Sequence, residues 1–372
     1  MERWREQALR MLQRVERRLD ERRYARPAGT ARDAVRIAPY RGFGTAERWW
    51  VRARVLRGPE LPAAGGDAES AWQNLRQTLR RFESDEVPHA RLRVAGGGAS
   101  TEAAADEEGH LACWLQPIRE PTAGALWQEA TLQVLSPASP PHPACATAPV
   151  LVPPPDAAFG VVSDLDDTVL RSDATRLLRL ARTVLFGSAR TRVPFPGVAA
   201  FYRALQQGAG RTSFNPIFYV SSSPWNLYEL LSEFLTLQQI PLGPLLLRDW
   251  GLSDAERLPT RHRGHKLQAL RTILDTYPTL PFLLIGDSGQ EDPEIYHRAV
   301  QLYPQRIAAV YIRNVTPGPR RAAAVAALAR EVERAGSELL LVDDTAAAAA
   351  HAAARGWITP DALRAVQEAT GR

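Results

Sequence analysis

Three carboxylates in four positions follow directly on an apolar run: Asp164, Asp166 and Asp167, in Ser163-Asp164-Leu165-Asp166-Asp167-Thr168 after Phe159 to Val162. Carboxylates crowded at a strand terminus repel one another unless a cation sits among them. Mg²⁺ meets that need with oxygen ligands, taking one or two carboxylates and completing its octahedron with water and phosphate. Spacing by two puts Asp164 and Asp166 on one side of an extended backbone and turns Leu165 toward the core. A second acidic terminus, Gly286-Asp287-Ser288-Gly289-Gln290-Glu291-Asp292-Pro293, follows Phe282 to Ile285. Its glycines are expected to permit a sharp turn that presents Asp287 and Asp292 together. Ser221-Ser222-Ser223-Pro224-Trp225-Asn226 follows Ile217 to Val220 and leads into a helix. Hydroxyls and open N–H groups there suit a phosphate oxygen, and equally serve as an N-cap cluster. Lys266 opens the helix that precedes the second acidic strand. A nucleophilic carboxylate, a second carboxylate for proton transfer, a phosphate-binding hydroxyl, an ammonium and a metal-binding acid make up the inventory for phosphoryl transfer through an aspartyl-phosphate.

The elements that must position these residues are short apolar runs without alternation: Phe159 to Val162, Ile217 to Val220, Leu245 to Leu247, Phe282 to Ile285, Ile307 to Ile312 and Leu339 to Val342. Helical patterns lie between them, among them Val198 to Gln207, Leu227 to Leu237 and Lys266 to Leu274. Such runs indicate an α/β fold, a Rossmann-like parallel sheet covered on both faces, with ligands bound beyond the carboxyl ends of its strands. Upstream the pattern differs. Val51, Ala53 and Val55 alternate with Arg52 and Arg54, and Leu132 and Val134 alternate likewise, as half-buried strands do. A helix with Trp72, Leu75, Leu79 and Phe82 at helical spacing interrupts them. These strands indicate a smaller β-sandwich-like domain, read as a binding or packing module because no pairing of His, Asp or Ser in it suggests catalysis. Eight of the 29 prolines fall between Pro137 and Pro155, which marks a linker. The expected organisation is an amphipathic helix over 1–26, the β-sandwich-like domain over 27–136, the linker over 137–157 and the α/β domain over 158–372.

Composition narrows the partners. The 372 residues suit two or three domains, and a mean hydropathy of −0.26 suits a soluble globular chain. Two cysteines, Cys113 and Cys145, rule out a disulfide framework and a four-cysteine zinc site, and a reducing, cytoplasmic setting is expected. The net charge of +5 favours anionic partners without choosing among nucleic acid, acidic lipid and phosphorylated metabolites. No apolar run approaches the roughly 20 residues of a spanning helix. Trp4, Ala8, Met11, Leu12, Val15 and Leu19 share one arc of the first helix, which either lies on an anionic membrane surface or docks on its own protein. Of 46 basic residues 45 are Arg, which makes the one lysine, Lys266, a position to explain. Arg and Lys differ most where a compact ammonium must sit close to oxygens in a tight site.

The order Asp-x-Asp-x-Thr, strand-Ser, Lys, then Gly-Asp-x-x-x-x-Asp resembles the four motifs of the haloacid dehalogenase superfamily. More narrowly, Asp164 to Thr168, Tyr219 to Asn226, Leu247 to Gly251, His265-Lys266 and Ile285 to Glu294 resemble the catalytic domain of the actin-patch-associated phosphatidate phosphatase family. Tyr40-Arg41-Gly42-Phe43-Gly44-Thr45 is similar to that family's opening segment. The resemblance implies that Asp164 is the nucleophile, and that Asp166 protonates the departing alkoxide and then activates water. It implies that Asp164, the main-chain carbonyl of Asp166 and Asp287 hold Mg²⁺ with Asp292 in support, and that Ser221 and Lys266 grip the phosphoryl group. Ser222 and Arg248 are expected to border the substrate; Arg248 and Arg313 both follow apolar runs, where a salt bridge is an equal role. The stretch Arg171 to Arg192 is too short for a globular cap, so an open site is expected, suited to a phosphate on something large. Six Arg against Asp173 in that stretch suit either an anionic bilayer or a helix packed over the sheet edge. The leading expectation is a Mg²⁺-dependent phosphatidate phosphatase, cytoplasmic or peripheral at the membrane, with no nucleic-acid partner. The alternatives are a phosphatase for another large phosphoester, such as a phosphoprotein or nucleic-acid end, and a silent lipid- or protein-binding adaptor. Val342-Asp343-Asp344-Thr345 lacks the Asp-x-Asp spacing and reads as a further strand end, and His262, His265 and His297 do not form a recognisable zinc pattern.

Overall fold

Residues 34–58, 85–122, 125–137, 143–165, 195–210, 214–248, 260–315 and 318–371 are described by a computed structural model. The expected helices over 1–26 and around Trp72 to Phe82, Asp166 to Thr168 and the stretch Arg171 to Arg192 lie outside the described residues.

The first sheet comprises β1 (Val35–Pro39), β2 (Gly42–Gly44), β3 (Trp49–Arg57), β4 (Asp85–Glu86), β5 (Arg91–Gly96), β6 (Ala99–Ala104), β7 (His110–Leu115), β8 (Trp127–Ser136) and β9 (Cys145–Leu151). Its hydrogen bonding runs β1-β3-β2-β9-β8-β5-β6, with β4 and β7 also on β3. All pairs are antiparallel except β2 with β9. The bonding therefore links one continuous sheet, where a sandwich was expected to give two. The nine-residue β3 is long enough to pair with β1 and β2 along one edge and with β7 and β4 along the other. Val51, Ala53, Val55, Leu92, Leu111, Leu132 and Val150 share one core. Part of the proline-rich stretch is strand rather than linker: β9 pairs with β8 from Cys145 to Leu151. It meets β2 only at Val150 and Leu151, so Pro149 sits where β9 has one ladder partner and a missing N–H costs little.

The second sheet is wholly parallel and contains β10 (Gly160–Asp164), β11 (Ile217–Pro224), β12 (Leu245–Arg248), β13 (Phe282–Asp287), β14 (Ile307–Arg313) and β15 (Glu338–Val342). Its spatial order is β12-β11-β10-β13-β14-β15. The chain winds outward from β10 to β12, then crosses back to β13 on the other side of β10. The strand order thus reverses at β10, and it is at such a reversal, beyond the carboxyl ends, that open parallel sheets bind ligands. Val161, Ile217, Tyr219, Leu245, Leu283 and Ile285 join one core with α1 (Val198–Gln207), α2 (Tyr228–Leu237), α6 (Thr345–Ala354) and α7 (Pro360–Thr370). Val162, Phe218, Val220, Leu246, Phe282 and Leu284 join the other with α3 (Thr260–Thr276), α4 (Asp292–Leu302) and α5 (Pro319–Arg334). The unalternating runs thus alternate between two buried faces, which is why polarity gave no period.

The two sheets are packed together. Tyr40 belongs to the first of these cores, while Phe43 and Leu151 belong to the second. Phe43 meets Phe218 edge-on at 5.5 Å between ring centroids. Gly42 and Gly44 let β2 lie close against the Arg48-to-Trp50 backbone, since a Cβ on them would lie 2.2 Å from the Trp50 carbonyl oxygen and 2.1 Å from that of Arg48. Arg54, whose alternation suggested a solvent-facing position, is buried at the junction, bonded to Asn226 and Glu86.

Candidate active site

Asp164 ends β10, Asp287 ends β13 and Asp292 opens α4; all three side chains are fully buried. One oxygen from each lies within 4.8 Å of the others. Lys266 reaches them from α3, on the face of the sheet that carries Val162 and Leu284. That helix begins at Thr260, so Lys266 sits inside it rather than opening it. Its Nζ is 2.7 Å from Asp164 Oδ1, 2.6 Å from Asp292 Oδ1 and 3.3 Å from Gln290 Oε1. An ammonium has three N–H donors and no acceptor, and three oxygens surround this one. Burial lowers the Lys266 pKa, but Asp164 and Asp292 outweigh it and hold the group firmly protonated.

Asp292 also braces the strand end, where its Oδ2 accepts the Asp287 N–H at 3.1 Å. Asp287 Oδ1 accepts the N–H groups of Gly289 and Gln290 at 2.6 and 2.9 Å, curling the acidic loop around itself. Arg321 of α5 ties that loop down by donating to the carbonyls of Ser288 and Gln290 at 2.8 and 2.6 Å. Asp287 Oδ2 is buried and accepts no hydrogen bond from the described residues. Burial, then the neighbouring Asp292, pushes the Asp287 carboxyl up to about 7 against the pull of Lys266. Three buried carboxylates outnumber the one ammonium, and with an Asp287 oxygen unpaired among the described residues they form an all-oxygen donor set that fits a hard divalent cation.

Gly286 serves this arrangement differently from expectation. It lies inside β13, not in a turn, and is not among the residues at positive φ. A Cβ there would lie 2.6 Å from Asp292 Oδ2 and 2.8 Å from both Asp292 Cβ and Tyr296 Cε2. Its bare backbone is what lets α4 approach β13 closely. Gly286→Ala is therefore expected to lower stability by about 1–3 kcal/mol, read from the urea midpoint. Turnover should fall with it, because the displaced Asp292 carries Lys266.

Ser221 is buried in β11, and its Oγ accepts the Ser223 N–H at 3.0 Å. Since Asp164 is in register with Val220, Ser221 lies one position beyond the nucleophile candidate on the adjoining strand. Ser222 and Arg248 are half-buried, Arg248 at the end of β12 in register with Pro224. Asp166 lies outside the described residues. His265 is kept neutral: burial, then Arg248, lowers its pKa to about 4.

Sequence reasoning missed a chain behind Asp164. Ser163 Oγ donates to the Asp164 carbonyl at 2.6 Å and lies 2.7 Å from Tyr202 Oη. With its one proton committed, Ser163 accepts from Tyr202. Gln290, which stands in the acidic loop but was given no role, and Arg321, which stands in no recognisable pattern, were missed too. Other candidates have structural roles: Asp344 caps α6 by accepting the Ala347 N–H, Arg313 donates to Thr345 at 2.6 Å, and His297 lies 2.8 Å from Glu331.

Residues 159–314 match the family described as "Phosphatidate phosphatase APP1, catalytic domain". Phosphatidate phosphatase APP1 of Saccharomyces cerevisiae is 31% identical over 156 residues, 42% of this chain and 26% of that protein. Uncharacterized protein C29B5.04c of Schizosaccharomyces pombe is 30% identical over 166 residues, 42% of this chain and 25% of that protein. The chain thus spans about a quarter of the length of these curated relatives. A solved carbohydrate acetylesterase from Xanthomonas citri covers 78% of this chain and 72% of its own at 12% identity, but its TM-score of 0.24 carries no argument about fold. The chain resembles the phosphatidate phosphatase catalytic domain across β10 to β14, the span that holds Asp164, Ser221, Lys266, Asp287 and Asp292.

Proposed function

We propose that the chain is a Mg²⁺-dependent phosphatase of haloacid dehalogenase type that hydrolyses phosphatidate to diacylglycerol and phosphate. The observation that carries this proposal is the buried contact of Lys266 with Asp164 and Asp292 at the strand ends, inside the matched span. In the first step an Asp164 carboxylate oxygen attacks phosphorus, the ester P–O bond breaks, and the leaving glycerol oxygen takes a proton from Asp166. In the second, Asp166 removes a proton from water as that water attacks the aspartyl-phosphate, and the bond between phosphorus and Asp164 breaks to release phosphate. An acid at position 166 suits a phosphoester because the alkoxide needs that proton. Lys266 offsets charge that accumulates on the phosphoryl oxygens, and Ser221 binds one of them, with Ser222 and Arg248 at the border. Asp164, the Asp166 carbonyl and Asp287 would hold Mg²⁺ with Asp292 beside them, and the bound ion supplies Lewis-acid stabilisation of phosphoryl charge.

No helix among the described residues is long and apolar enough to cross a membrane. The lipid phosphate would enter at the carboxyl ends of the strands, with peripheral contact to an anionic surface assigned to the Arg-rich stretch Arg171 to Arg192, which the sequence makes too short for a globular cap. The test is phosphate release from phosphatidate, lysophosphatidate, diacylglycerol pyrophosphate and soluble phosphoesters, in micelles, with Mg²⁺ or with chelator. Release from phosphatidate is expected to require Mg²⁺ and to exceed that from soluble esters at least tenfold. Preference for short soluble esters would reject the lipid substrate, and equal release in chelator would reject the metal.

A further inference from the structure

Ser221 to Ser223 lie beyond the β10–β11 ladder and within an irregular stretch of the β11–β12 ladder. The last β10–β11 pair is Asp164 with Val220, and the β11–β12 register slips between Val220 and Pro224. The residues just beyond the serines are held from the other sheet. Trp225 is buried and stacks on Tyr40, with ring centroids 4.7 Å apart and planes 20° from parallel. Arg52 of β3 sets its guanidinium 4.1 Å from the centroid of the same indole. Arg54, two residues along, donates to Asn226 Oδ1 and is itself anchored by Glu86 Oε1 at 2.9 Å and the Glu108 carbonyl at 3.0 Å. Tyr228 packs on Tyr40 at 4.4 Å and accepts the Arg41 N–H at 2.7 Å, while the Arg41 side chain donates to Ser232 at 2.6 Å.

We infer that Tyr40, Arg52 and Arg54 are positioning residues that clamp the Ser221-to-Asn226 segment, so that the antiparallel sheet is a working part of the active site. The consequence for turnover rests on the phosphatase proposal above; the mechanical clamp does not. A stacked aromatic and a cation over its face are directional contacts that fix ring orientation as well as bury area. Since only Pro224 separates Ser223 from Trp225 and Asn226, a shift of the indole is passed back along the segment to the phosphate-gripping hydroxyl of Ser221. Misplacement by about 1 Å can cost on the order of a hundredfold in rate.

The test uses the full chain. In Tyr40→Ala, amide exchange at residues 221–227 is expected to quicken at least tenfold, and kcat/KM to fall about ten- to a hundredfold. The Mg²⁺ concentration for half-activation should stay unchanged, because Asp164, Asp287 and Asp292 are not touched. Tyr40→Phe, which keeps the ring, is expected to recover slow exchange and most of kcat/KM. If Tyr40→Ala does not fold, Asn226→Ala removes the Arg54 contact from a half-buried side chain and serves the same measurements. A folded variant whose 221–227 amides exchange within twofold of the parent overturns the clamp. Faster exchange with unchanged kcat/KM overturns its catalytic role. Absence of turnover in the parent protein rejects the phosphatase proposal instead, and the exchange measurement still decides the clamp.

Discussion

Asp164→Asn is expected to abolish Mg²⁺-dependent phosphate release, by roughly 10⁴-fold or more, while leaving the protein folded. The amide matches the carboxylate in shape but cannot attack phosphorus. Its structural cost is small because Lys266 retains Asp292 at 2.6 Å and Gln290 at 3.3 Å. Removing one of three buried carboxylates also relieves repulsion in a cluster where Asp287 is already pushed up to about 7, by burial first and Asp292 second. The melting temperature in chelator should therefore hold or rise as activity disappears, the usual sign of a site strained for function. Residual turnover above about a hundredth of the parent value would remove Asp164 from the nucleophile's role. An unfolded variant would instead make it a structural residue.

Lys266→Arg should lower turnover on the order of 10²- to 10³-fold although the charge is unchanged. Lys266 is 4% exposed, and its single nitrogen serves three oxygens at 2.6, 2.7 and 3.3 Å. A guanidinium spreads its donors over a wider planar fork and cannot place one atom among all three. Lys266→Met separates charge from geometry. With no cation between Asp164 and Asp292, it should destabilise the chelated protein by about 3–5 kcal/mol, measurable as a lowered urea midpoint. Near-parent turnover in Lys266→Arg would mean that the lone lysine is an accident of composition.

Much of the parallel sheet was legible along the chain. All six unalternating runs became strands, and Val198 to Gln207 became α1 with the bounds its periodicity indicates. Burial on both faces requires apolar residues at every position, a local requirement that leaves a local trace. The first sheet was less legible. Alternation in β3 set Arg54 apart from Val51, Ala53 and Val55, yet a strand face that meets another sheet carries charge when acceptors such as Asn226 and Glu86 wait there. Proline counting misjudged Cys145–Leu151, because it cannot tell a linker from a strand whose proline has one ladder partner.

The sequence by itself determined which chemical groups stand at which strand ends. An acid or hydroxyl close after an apolar run must emerge at the carboxyl edge of the sheet, and the order of the runs names Asp164, Ser221 and Asp287, with Asp292 at the end of the loop that follows, without reference to distant residues. It also singled out Lys266, the one lysine among 46 basic residues. Only the tertiary structure decided their relations: that Lys266 lies between Asp164 and Asp292, that Gly286 is bare so that α4 can close on β13, and that Trp225 is held by Tyr40 and Arg52. Periodicity records whether a side chain is buried, whereas a hydrogen bond or a stacked ring depends on which remote segment arrives opposite it. That partner is set by the packing of whole elements, and no short window of residues contains it.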